Sequence, residues 1–104
     1  MSTNQIIDEC KQILKNYYGP QFQDLFLYGS VARGQRDGAS DIDMLVLLSG
    51  PFDYFSELRK IIELLYPVQL KSESLISAKP AALEDFESGR IHLYRVAKRE
   101  GKAA

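Results

Sequence analysis

Tyr28-Gly-Ser-Val-Ala-Arg-Gly34, then five residues on Ser40-Asp-Ile-Asp-Met-Leu-Val-Leu-Leu48, is the stretch on which the fold turns. Residues 22–28 (FQDLFLY) are aromatic and aliphatic and read as a strand. Gly29-Ser30 follows at once, and then a small polar segment carrying Arg33, Gly34, Arg36 and Gly38. Residues 41–48 have the strongest strand pattern in the chain, and Ser49-Gly-Pro51 ends it as a turn. Asp41 and Asp43 are two residues apart, so a strand places both carboxylates on one face, at its N-terminal end. Two carboxylates so close repel each other and call for a counter-charge. A hard divalent cation such as Mg²⁺ supplies one through oxygen ligands. Gly29 would let the backbone pass close to a phosphate, while the Ser30 hydroxyl and the Arg33 guanidinium would be donors to it. Each half alone has a plain alternative: two solvated strand-end aspartates, and an ordinary Gly-Ser turn.

Outward from this stretch the apolar spacing sets the other elements. Ile6, Ile7, Cys10, Ile13, Leu14 and Tyr17 recur every three to four residues and predict a helix over 3–18, capped by Thr3 or Asn4 and stopped by Gly19-Pro20. Phe55, Leu58, Ile61, Ile62 and Leu65 predict a second helix over 54–66, ended by Pro67. Residues 68–78 look extended, and 81–87 form a short helix with Pro80 at its first turn. Residues 90–100 are open between helix and strand, with Ile91, Tyr94 and Ala97 favouring helix. The fold class that follows is α/β (α+β): a small mixed β-sheet of three or so strands, helices packed on one face.

Composition narrows the function classes. The chain of 104 residues is of a size for one domain over 1–104. Net charge is −1, from 13 Lys+Arg against 14 Asp+Glu, so bulk electrostatics draw it neither to nucleic acid nor to an anionic membrane. A phosphate would have to be held by a local site. The longest apolar run, Met44 to Leu48, is far too short to span a bilayer, and the N-terminus lacks the pattern of a signal peptide. Cys10 is the single cysteine and lies on a helical apolar stripe, where it reads as core. These features point to a soluble cytoplasmic protein. His92, the one histidine, reads as a surface residue.

The combined pattern, Gly29-Ser30-x-Ala-Arg-Gly34-x₅-Ser40-Asp-Ile-Asp43, resembles the signature of the DNA polymerase β-like nucleotidyltransferase superfamily, and within it the minimal nucleotidyltransferases. The ending Tyr94…Arg99-Glu-Gly101 adds a weaker match. The resemblance implies the nucleotidyltransferase fold. It also implies transfer of a nucleoside monophosphate from an NTP, with ATP the expected donor, to a hydroxyl acceptor. Gly29, Ser30 and Arg33 would hold the triphosphate, and Asp41 and Asp43 would bind two Mg²⁺. Members of the family usually carry a third carboxylate on a following strand. Here Val68-Gln-Leu70 puts Gln69 where one alignment wants aspartate, and the other alignment offers Glu73 as catalytic residue and metal ligand. Relatives of this form are often paired with a small helical HEPN toxin whose tyrosine accepts AMP, so an antitoxin role is expected. The aromatic residues at 17–18, 54–55 and 66 exceed what the surface of a small fold needs and point to a partner interface, and a homodimer is a further expectation. A module of the same fold acting by contact alone is the alternative.

Overall fold

The structure, a computed structural model, describes residues 2–29 and 41–104. Helix α1 (Thr3–Tyr18) opens on a capping box at Ser2, one residue before the expected cap. The Gln5 amide N–H donates to Ser2 Oγ (3.1 Å), and the Ser2 N–H donates to Gln5 Oε1 (2.7 Å). A 3-10 turn at Gly19–Gln21 leads into β1 (Phe22–Tyr28). Strand β2 (Ile42–Leu48), helix α2 (Tyr54–Gln69) and β3 (Ile76–Ala82) follow, and the chain closes with α3 (Leu83–Ser88), α4 (His92–Glu100) and a two-residue β4 (Lys102–Ala103). The strand order is β3-β2-β1-β4 in one mixed sheet. β1 runs antiparallel to β2, and β3 runs parallel to β2 after the crossover through α2.

Two expected boundaries move, both at prolines. Helix α2 runs through Pro67 to Gln69. Proline there removes one N–H of the last turn, while Val68 is wholly buried and holds the helix against the core. Gln69 then clasps the next turn: its Nε2 donates to the Ser74 carbonyl (3.0 Å) and its Oε1 accepts from the Ile76 N–H (2.7 Å). The extended segment accordingly starts at Ile76 rather than at 68, and Pro80 lies inside β3 instead of opening a helix. β3 is an edge strand, where proline is tolerated.

The expected packing of helices on one face also needs correcting. α1 and α2 do cover one face, where Ile6, Cys10, Leu14, Ile61, Leu65 and Val68 meet Leu25, Met44, Val46 and Leu48. The other face is covered in part by the short C-terminal helices, with Phe86, Tyr94 and Ala97 against Leu45, Leu47 and Ala81. The physical reason lies in β2, whose residues are apolar at every position from Met44 to Leu48. A strand apolar on both faces exposes one of them to water unless both are covered. Cys10 is fully buried, which pushes its thiol up to about 12 and matches its reading as core. Among the described residues no helix is long and apolar enough to cross a membrane.

Candidate active site

The site lies at the open end of the second face. β1 and β2 form an antiparallel pair in which Tyr28 sits opposite Asp43, so Gly29, the next residue, reaches the strand end beside that carboxylate. Gly29 has φ +76°, in the region that favours glycine, and a Cβ built on it would stand 2.5 Å from Asp43 Oδ2. A side chain at 29 would therefore occupy the space next to the carboxylate. The tertiary pairing thus joins the two halves of the motif, at Gly29 and Asp43. Ser30 and Arg33 lie outside the described residues.

Asp43 shares its face of β2 with Leu45 and Leu47, and burial falls along that face. The two leucines are buried, Asp43 is half-buried, and Asp41 just before the strand is exposed. Burial raises the Asp43 pKa, the Asp41 charge raises it further, and Lys79 draws it back down. Tyr28 is raised to about 12 by burial, then by the charge of Asp43. The pair of carboxylates is therefore an electrostatically unfavourable arrangement that a cation relieves. Two aspartates near enough for one charge to act on the other, one of them open to solvent, fit a divalent ion completed by water and phosphate oxygens.

The structure does not bring the third expected acid to this pair. Glu73 is exposed in the turn between α2 and β3, and no group of three metal-binding side chains forms among the described residues. Turn geometry accounts for this. Ser72 Oγ accepts from the Ser74 N–H and donates to its carbonyl, and Gln69 holds Ser74 and Ile76, so the turn closes on its own polar groups. Gln69 is committed to that clasp and is no metal ligand here. The side chains that β3 does set beside the site are Ser77, paired with Asp43, and Lys79, paired with Leu45. Period two puts both on the face of Asp43. Sequence reading missed Lys79 because it ended the extended segment at residue 78; the alternation Ser77-Ala-Lys79 was the available signal.

Comparison with known proteins agrees with this geometry. The nucleotidyltransferase-domain family model matches residues 5–96. The chain belongs to the nucleotidyltransferase-domain family. A Methanocaldococcus jannaschii protein, provisionally named a protein adenylyltransferase, is 34% identical to this nucleotidyltransferase over 83 residues, covering 76% of this chain and 83% of the relative. The crystal structure of a mutant of the toxin–antitoxin MntA-HpeT superposes with a TM-score of 0.61 at 23% identity, covering all of this chain and 72% of that one. A toxin–antitoxin structure with AMP-PNP superposes with a TM-score of 0.52 at 19% identity, covering 98% of this chain and 72% of that one. At these identities the two structures establish the shared fold. The nucleotidyltransferase fold, class and enzymatic nature expected from the motif therefore hold.

Proposed function

We propose that this nucleotidyltransferase moves AMP from ATP to a hydroxyl on a protein, with a tyrosine of a small helical HEPN-type toxin as the acceptor, and so serves as an antitoxin. The observation that carries the reading is the approach of Gly29 to the Asp43 carboxylate, which leaves a side-chain-free shelf beside that carboxylate, two residues on from Asp41. The protein-adenylyltransferase name of the Methanocaldococcus relative supports the acceptor class, and the fold shared with toxin–antitoxin structures supports the partner class.

Asp41 and Asp43 would hold Mg²⁺, whose positive charge stabilises the triphosphate oxygens during displacement. The bare backbone at Gly29 admits the triphosphate to the strand end, and Ser30 and Arg33 would donate to its oxygens. The acceptor oxygen bonds to the α-phosphorus, and the bond to the bridging oxygen breaks. Pyrophosphate leaves with the electron pair, and the hydroxyl proton passes to water. Incubating the protein with each α-labelled NTP, Mg²⁺ and a lysate of its source cells tests the proposal. A labelled protein band with wild type but not with Asp41→Ala/Asp43→Ala supports it, and label on no macromolecule with any NTP refutes it.

A second reading, neutralisation of a partner by contact alone, is favoured by a line of exposed apolar residues along α2 and beyond it: Phe55, Ile62, Tyr66, Leu70 and Leu75. Under it, the double-aspartate variant keeps neutralising the toxin.

A further inference from the structure

Resting on the transferase reading above, we propose that Lys79 adds a positive charge to the active site by holding the triphosphate, and that the site therefore takes one divalent ion rather than the pair expected from the motif. β3 is the strand that follows α2 and lies directly beside β2, in parallel register. It is the strand on which a third carboxylate would stand. Its residues facing the Asp43 side are Ser77, Lys79 and Ala81, with no acid among them. Ser77 is opposite Asp43 and Lys79 is opposite Leu45, one pleat further into the sheet, so the lysine rises from the floor of the site between the aspartates and the α3–α4 cover.

Lys79 is half-buried, and among the described residues no carboxylate or carbonyl holds its ammonium in an ion pair or hydrogen bond. The charge is nevertheless close enough to act on Asp43. A half-buried ammonium with no such partner among the described residues, on the face of Asp43, is arranged to meet an anionic ligand. Phosphate oxygens beside a metal are such a ligand. Two carboxylates, Lys79 and the Arg33 assigned to the triphosphate sum to no net charge before any ion binds, and one Mg²⁺ makes the site positive. A second Mg²⁺ would have to bind beside an ammonium with no further carboxylate among the described residues to ligate it, which like-charge repulsion disfavours.

The test uses two probes: Mn²⁺ with α,β-methylene-ATP, which cannot react at the transferred bond, and Mn²⁺ with inorganic tripolyphosphate, which is blind to the base. Manganese stoichiometry is read by electron paramagnetic resonance and affinity by calorimetry. Wild type is expected to take one Mn²⁺ per chain with either probe. Lys79→Ala is expected to bind both about 10- to 100-fold more weakly, the scale of a charge-assisted contact to phosphate, while Lys79→Arg recovers most of the loss. Lys79→Asp is expected to admit a second Mn²⁺. Melting curves establish that the variants are folded. Two Mn²⁺ in wild type, or unchanged affinity in Lys79→Ala, overturns the inference and leaves the transferase reading standing. If wild type binds neither probe, or Asp41→Ala/Asp43→Ala binds Mn²⁺ as well as wild type does, the transferase reading falls and the inference with it.

Discussion

Replacing Gly29 by alanine separates the strain of a turn from the geometry of a site. Gly29 (φ +76°) and Gly50 (φ +75°) have nearly the same backbone, but nothing lies within 4 Å of a Cβ built on Gly50, whereas one on Gly29 meets Asp43 Oδ2 at 2.5 Å. Both alanine variants incur the cost of a side chain at positive φ, about 1–2 kcal/mol. For a domain of this size that lowers Tm by roughly 5–12 °C. Only Gly29→Ala must also displace the carboxylate, by about an ångström, to restore ordinary contact. A misplacement of that size costs on the order of 100-fold in rate. The assay is thermal melting together with transfer of label from an α-labelled NTP, below the melting range of both variants. Gly50→Ala should lose stability and keep its activity, and Gly29→Ala should lose stability by a similar amount and nearly all activity. Equal activity in the two variants would refute the argument that Gly29 is bare for the sake of Asp43.

Other outcomes follow from the same structure. Gln69→Ala loses two hydrogen bonds that close the turn before β3 and should cost about 1–3 kcal/mol in chemical denaturation, with kcat unchanged at low temperature; a selective loss of kcat would give Gln69 a chemical role. Glu73→Gln should leave Mn²⁺ affinity unchanged, because the residue is exposed and forms no metal-binding group with the aspartates; a tenfold loss would mean that it closes onto the metal. In metal-free buffer at neutral pH, Asp43→Asn should melt higher than wild type. A carboxyl whose folded pKa is raised contributes stability in full only below its ordinary value of 3.8, and that contribution is lost as pH rises through the raised folded value, well below neutrality; the asparagine has no such proton to lose. A lower melting temperature for this variant would contradict the reasoning. Cys10, with a thiol raised from 9.0 to about 12, should resist a thiol reagent at pH 8 until the chain unfolds, and alkali should destabilise the fold as pH rises from 9 toward 12; rapid native labelling would show the thiol exposed.

Sequence alone determined the parts of this protein that depend on local periodicity and on short spacing. The stripe Ile6, Ile7, Cys10, Leu14 specified α1, and its boundaries agree with the structure. Two-residue spacing at the start of the strand expected over 41–48 put Asp41 and Asp43 on one face before any tertiary contact was known, and the motif around them was enough to name the family. The prolines were harder. A proline's local cost is the same everywhere, but whether an element runs through it depends on burial such as that of Val68 and on being an edge strand such as β3, and neither is local. Coverage of the second sheet face was implicit in the unbroken apolar run of β2, but which helices would supply it depended on where the chain returned. The site shows the division most clearly. Which residue of β3 stands beside Asp43 is a matter of parallel register across a crossover of 27 residues, from Ser49 to Leu75, and one step of slip would exchange Lys79 for its neighbours on the opposite face. Spacing along the chain carries no information about that register. It is set by packing α2 on the sheet beside α1, and so only the tertiary structure could put an ammonium where the motif leads one to look for a carboxylate.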